Sequence, residues 1–315
     1  MGTLHFVERQ GRFGVSLTVI LLALLCLSAA CGSGRPAPSG AAPPSTTSTS
    51  LAHAAEAVTR PTGTIDELVD VGSGRMHIRC TGAGDETVVL ISGFTGDADS
   101  WTKVEPALAA TTRVCVHDRF GTGTSDAPSR PQTFGTQARD LRALLVSAGE
   151  PGPYVLVGHS FGGPEAVMFS SLFPSDVRGV LLVDASPSSW GEVVCSVPDD
   201  GSVGGAGFRQ ACEMQASPSG NPVGLDGPAA FAEVASVRAL GDVQLVVATA
   251  PSRGDGTAGL PAATVRLVDE AWMTGQEEWA SLSTNSRLVV VPDTGHNIQD
   301  DRPETVVEQV EGLLS

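Results

Sequence analysis

Two glycines constrain the centre of this chain more than any other feature. In Gly158-His159-Ser160-Phe161-Gly162-Gly163, directly after the apolar run Tyr154-Val155-Leu156-Val157, a glycine stands two residues before and two after a serine. The apolar run reads as a buried strand, and the residues that follow read as a helix. A chain that passes from strand to helix so quickly must turn sharply at Ser160, in a strained conformation that leaves no room for side chains at the flanking positions. Such strain is retained where a side chain has to be held exposed, which makes Ser160 a candidate nucleophile. A glycine-rich turn whose serine merely caps the helix is the competing reading, and the surrounding sequence decides between them.

From residue 65 onward, short β-rich runs alternate with longer helical patterns, which predicts a parallel sheet covered by helices. Strands are expected over residues 65–71 and 75–80, an antiparallel hairpin turning at Gly72-Ser73-Gly74. Six more are expected over 88–92, 113–117, 154–157, 180–183, 243–249 and 288–291. Helices are expected over 98–110, 134–148, 161–173, 268–282 and 303–314. The fold class is therefore α/β, an eight-stranded, mostly parallel sheet flanked by helices. Residues 186–239 break the rhythm after the sixth strand. Rich in Gly, Pro and Ser, with only a short helical pattern at 228–240, they read as a small cap insertion above the sheet.

Hydrophobic residues make up 41% of the 315-residue chain and charged residues 17%, a globular composition. The formal charge of −16 opposes association with phosphate backbones, so nucleic acid is not expected as a partner. The N-terminus stands apart. Arg9 and Arg12 precede an uncharged, strongly apolar stretch that ends Leu27-Ser28-Ala29-Ala30-Cys31, the layout of an export signal. Small residues before Cys31 resemble a bacterial lipobox, so residues 1–31 are expected to be a signal peptide and Cys31 a lipidation site that anchors the protein to the membrane. Ordinary cleavage nearby, or retention as a membrane anchor, are the alternatives. All three place the remainder outside the cytoplasm. Residues 32–60, rich in Pro, Ser, Thr, Ala and Gly, have no hydrophobic period and read as a disordered linker before a domain spanning 61–315.

Four cysteines lie beyond that linker, and in an oxidising compartment they are expected to pair. Cys80 ends one predicted strand and Cys115 sits inside another, whereas Cys195 and Cys212 share the cap insertion. The expected disulfides are Cys80 with Cys115 and Cys195 with Cys212. No CxxC or HxxxH spacing supports a metal site.

The order of hairpin, strand, glycine turn, serine elbow, insertion and late histidine resembles the α/β-hydrolase fold family over residues 65–315. Supporting motifs are Ile91-Ser92-Gly93-Phe94 after the third strand, the run from His117 to Asp126 after the fourth, and Asp293-Thr294-Gly295-His296 after the last. The resemblance implies a nucleophile, an acid and a histidine in that chain order. Ser160 would be the nucleophile, with His296 as its base because it follows the final strand and so lies at the same end of the sheet. His77 and His117, in strands, read as structural, and His159 should point away from the nucleophile. Asp184, ending the sixth strand, is the favoured acid; Asp255, in a long glycine-rich loop after the seventh, is the alternative. The backbone amides of Phe161 and Phe94 would form the oxyanion hole. Asp118 and Arg119 are expected to form a buried structural pair beside the site. The departure from the family is Ser92, where a histidine often precedes the glycine, and it bears on local packing.

The implied activity is an exported serine hydrolase acting on a small-molecule ester or similar acyl bond, with no metal or organic cofactor. Peptidase, cofactor-free haloperoxidase or lyase chemistry on the same fold, and a non-catalytic cell-surface binding protein, are the alternatives.

Overall fold

A computed structural model describes residues 61–315, the Asp255 side chain excepted. The expected signal peptide, Cys31 and linker lie outside the described residues.

The strands are β1 (Ile65–Asp70), β2 (Arg75–Thr81), β3 (Thr87–Ile91), β4 (Arg113–His117), β5 (Tyr154–His159), β6 (Val177–Val183), β7 (Gln244–Thr249) and β8 (Ser286–Val290). They form one sheet in the order β1-β2-β4-β3-β5-β6-β7-β8. β2 runs antiparallel to β1 and β4, and every other pairing is parallel. Strands β3, β4 and β5 are buried along their whole length, which is why they read as continuous apolar runs rather than alternating ones. The period of two still sorts their side chains. Val88 and Leu90 enter one core while Val89 and Ile91 enter the other.

The helices are α1 (Glu105–Ala109), α2 (Phe134–Ser147), α3 (Gly162–Leu172), α4 (Trp190–Ser196), α5 (Val203–Gln215), α6 (Gly227–Val234), α7 (Ala262–Ser281), α8 (Ile298–Asp301) and α9 (Pro303–Leu314). Leu141 of α2, Phe169 of α3 and Trp272 of α7 pack into one core; Leu108 of α1 and Val310 of α9 pack into the other. Because β3 has β4 on one side and β5 on the other, successive crossovers leave it in opposite directions. The carboxyl ends of β3 and β5 lie at this switch point of the sheet, where α/β folds place their sites.

Both expected disulfides are present. Cys80–Cys115 joins residues opposite each other on β2 and β4, and Cys195–Cys212 joins α4 to α5.

Four expectations need correction. The expected helix over 98–110 is a 3-10 turn at Ala98–Trp101 followed by the short α1, which starts beside Pro106; proline, lacking N–H, suits a first turn and not an interior. Helix α7 begins at Ala262, earlier than 268, because its first turn is largely exposed and carries no apolar period. The single turn α8 was not anticipated. The cap insertion holds three helices rather than one. Glycines concealed α5, which the Ser202 side chain caps by accepting from Gly205 N, and which Phe208 and the disulfide fasten to the rest of the cap.

Candidate active site

The elbow forms as its glycines demand. Ser160 has φ of 53°, between the end of β5 and the start of α3. A Cβ at Gly158 would collide with the Gly162 carbonyl oxygen, and one at Gly162 with the Ile91 carbonyl oxygen. Ser160 N donates to Val183 O at 3.2 Å, and its own carbonyl accepts from Ser186 N at 3.0 Å. The turn is thus tied to β6 and to the first residues of the insertion.

Two other strand ends deliver the partners. His296, in the loop between β8 and α8, has Nε2 3.0 Å from Ser160 Oγ. Its Nδ1 lies 2.7 Å from Asp184 Oδ2. Asp184, just past β6, is fully buried and also adopts a positive φ, 41°. Its Oδ1 accepts from Thr249 Oγ1 at 2.9 Å, from Ala250 N at 3.0 Å and from Trp272 Nε1 at 3.0 Å. Burial alone would push this carboxyl up, but the His296 hydrogen bond, the charges of His296 and Arg253, and the Trp272 donor together hold it below the ordinary carboxylate value. Asp255 lies in the turn Gly254–Thr257. The structure therefore brings together Ser160, His296 and Asp184.

The loop after β3 sits against the elbow. A Cβ on Gly93 would come within 3.3 Å of Ser160 Cβ, and the Phe94 ring lies 4.7 Å from that of Phe161. Arg119 fixes this loop by donating to Gly93 O and to Ser92 O, each at 2.7 Å, while its Nε holds Glu165 at 2.8 Å. Asp118 and Arg119 are both buried, but they do not pair with each other. Asp118 accepts from Ala98 N and Thr124 N, each at 2.9 Å, and lies 3.2 Å from His77. Successive residues leaving β4 face opposite sides, so each finds its own partner. Ser92 donates to Asp97 O at 2.7 Å and accepts from Trp101 Nε1 at 3.1 Å, a local packing role.

His159 turns under the loop rather than toward the Ser160 hydroxyl. Its Nε2 donates to His296 O at 3.0 Å. Burial and the nearby His296 push its pKa down to about 3, so it stays neutral. Burial and the Arg119 charge likewise lower His117 to about 3.

Sequence reasoning missed Arg253. It follows β7 in the same glycine-rich loop as Asp255, and its Nη1 lies 3.3 Å from Asp184 Oδ2 and 2.8 Å from His296 Nδ1. Its position after a strand end was the available signal, but a basic residue there suggests no role. It also missed Ser186, whose Oγ lies 3.5 Å from Ser160 Oγ.

Above the site, α4, α5 and α6 enclose a cavity of about 390 Å³ lined by Gly191, Cys195, Cys212, Ala216, Phe231 and Ala235 among others. It does not include Ser160 in its wall. Phe231 connects the two regions, standing edge-on to Phe161 at 5.7 Å. Among the described residues, the closest grouping of metal-type ligands is Cys80, Cys115 and Glu150. Both sulfurs are bonded to each other and Glu150 holds Arg113, so none of them is available to an ion.

The sheet order, the elbow after β5 and the convergence of loops after β3, β6 and β8 define an α/β-hydrolase-fold protein. Comparison agrees: the family model described as alpha/beta hydrolase fold matches residues 86–195. A thermophilic esterase from Thermogutta terrifontis superposes with a TM-score of 0.53 at 23% identity, over 80% of this chain and 98% of that one. A serine hydrolase involved in carbazole degradation gives a TM-score of 0.55 at 17% identity, over 80% and 99%. These likenesses establish the fold. Among curated sequences, an uncharacterized protein of Schizosaccharomyces pombe is 43% identical over 82 residues, 26% of this chain and 15% of its own length. The dihydrolipoyllysine-residue acetyltransferase component of the acetoin cleaving system of Cupriavidus necator is 32% identical over 144 residues, 46% of this chain and 38% of its length. The match thus spans well under half of each of these two curated relatives.

Proposed function

We propose that this protein is a serine hydrolase that cleaves an ester or similar acyl bond through an acyl-enzyme on Ser160. The observation that carries the reading is the continuous hydrogen-bonded chain from Ser160 Oγ through His296 to the buried Asp184, at 3.0 and 2.7 Å. A serine hydroxyl attacks a carbonyl at neutral pH only if a base takes its proton as the bond forms. With the Nδ1 hydrogen donated to Asp184, the Nε2 lone pair of His296 faces that hydroxyl.

Attack by Ser160 Oγ on the carbonyl carbon passes the hydroxyl proton to His296 Nε2. His296 then gives this proton to the departing alkoxide as the ester bond breaks. Water next attacks the acyl-enzyme, losing a proton to His296, which returns it to Ser160 Oγ as the acid leaves. Negative charge on the carbonyl oxygen would be met by the backbone amides of Phe161 and Phe94. The N-terminus of α3, immediately after Ser160, supports this with its positive dipole end. The apolar cavity within the cap, which meets the site at Phe231, supports a substrate with an apolar acyl or alcohol portion.

Export and lipid anchoring at Cys31 complete the proposal. The two disulfides support an oxidising compartment, and the apolar stretch ending at Cys31 supports the anchor. A fluorophosphonate probe tests the central claim. Covalent labelling of the wild-type protein is expected and should vanish in Ser160→Ala; an unlabelled wild-type protein overturns the reading.

A further inference from the structure

The position of Arg253 is unusual for a residue beside a base. Its guanidinium lies over two indoles that meet edge to face, 3.8 Å from the ring centre of Trp272 on α7 and 5.0 Å from that of Trp190 on the cap helix α4. Its backbone N donates to Asp269 Oδ1 at 2.9 Å. Held this way, Nη1 reaches Asp184 Oδ2 at 3.3 Å and comes within 2.8 Å of His296 Nδ1.

A guanidinium carries its proton at any relevant pH, so Nη1 offers only a hydrogen. Suppose His296 carried its proton on Nε2. Its Nδ1 lone pair could then accept from Arg253 Nη1 at 2.8 Å, but it would face the Asp184 carboxylate at 2.7 Å with no hydrogen between them. With the proton on Nδ1, both Nδ1–H and Nη1–H converge on Oδ2, and Nε2 is left as an acceptor toward Ser160. A doubly protonated ring would place its charge against the guanidinium. Asp184 already receives three donors on Oδ1, so Arg253 and His296 share the one oxygen left.

We propose that Arg253 is a positioning residue of the hydrolytic site, a fixed cation that holds the His296 ring neutral while Asp184 keeps its proton on Nδ1, so that the base remains available in mildly acidic surroundings. The inference rests on the reading of Ser160, His296 and Asp184 given above. Other groups facing the ring do not supply the same effect. His159, from the end of β5, lies 4.8 Å from it ring to ring and is itself neutral. Asp301, from α8, binds the loop backbone at Gly295 N rather than the imidazole. Asp269, from α7, holds Arg253 and not His296. Burial lowers the His296 pKa and Arg253 lowers it further, against the opposing pull of Asp184. Because Trp190 of α4 offers one of the two rings against the guanidinium, the cap helps to hold the cation that sets the base.

The test is an NMR titration of the His296 imidazole, assigned with His296→Gln, in wild type, Arg253→Gln and Arg253→Lys. It is paired with the pH profile of kcat/KM. Wild-type His296 is expected to titrate below about 6.5, and Arg253→Gln to raise both the titration and the acidic limb by roughly one pH unit. Arg253→Lys, which keeps the charge, should stay close to wild type. A wild-type titration at or above the ordinary histidine value overturns the proposal, as does an unshifted Arg253→Gln or an Arg253→Lys shift equal to it. If Arg253→Gln does not fold, Arg253→Met, which keeps much of the stem without the charge, takes its place in the same comparison. The imidazole titration does not depend on the role of Ser160, so failure of fluorophosphonate labelling and failure of the Arg253 shift are separable results.

Discussion

Asp184→Asn is the most informative single change, because its effect follows from the donors around the carboxylate. The side chain is fully buried, and Oδ1 accepts from three groups, Thr249 Oγ1, Ala250 N and Trp272 Nε1. In the variant, the amide oxygen must stay on that side, since three buried donors would otherwise lose their acceptor. The new NH2 then faces His296 Nδ1 and Arg253 Nη1. His296 can accept from it only by moving its own proton to Nε2, where it points at Ser160 and can no longer act as a base. Loss of the correct tautomer is expected to lower kcat about 10⁴-fold, roughly 5 kcal/mol of barrier. Stability should fall as well. Arg253 is left without its carboxylate, and breaking a buried ion pair from one side costs about 3 to 5 kcal/mol. The lower end applies here, because the Arg253 side chain is 13% exposed. Steady-state hydrolysis of a p-nitrophenyl ester, with urea unfolding alongside, measures both effects. An Asp184→Asn rate within tenfold of wild type would refute the reasoning, as would a larger loss in Asp255→Asn.

Five further outcomes are expected. His117 and His159 are held neutral with pKa values near 3, below the ordinary 6.5, so the unfolded chain binds more protons between those values. Stability should therefore fall as pH drops through this window, by about 1.4 kcal/mol per pH unit for each histidine, and His117→Gln should flatten the slope in urea melts. Gly162→Ala should cost about 1 to 3 kcal/mol and most of the ester turnover, because its Cβ would press on Ile91 O and Ser92 O. Exposed Gly207 in α5 meets nothing within 4 Å, so Gly207→Ala should gain up to about 1 kcal/mol in the same melts. Replacing Cys195 and Cys212 together opens a 17-residue loop, which should lower the unfolding free energy by about 3 kcal/mol. Intact-mass analysis of the mature N-terminus should find Cys31 acylated, and an unmodified Cys31 would refute the anchor.

The sheet was legible because central parallel strands are buried on both faces and so appear as unbroken apolar runs between turn residues. The elbow was legible for a related reason: a backbone that touches its neighbours at Gly158 and Gly162 tolerates only glycine. The cap was much less so. Helix α5 reads Val203-Gly204-Gly205-Ala206-Gly207, a poor helical sequence, and its stability comes from a side-chain cap, a buried phenylalanine and a disulfide rather than from propensity.

By itself, the sequence determined the alternation of strand and helix and the serine at a strained turn, and its resemblance to the α/β-hydrolase fold family implied a serine, an acid and a histidine in that order. Local sterics and hydrophobic period suffice for the first two, since each depends on residues close together in the chain. Only the tertiary structure decided that Asp184 lies 2.7 Å from His296, across 112 positions of sequence. It also decided that Asp118 and Arg119 look to different partners, and that Arg253 lies over two indoles against the base. Those contacts join the ends of separate strands, and their distances are set by sheet order and register.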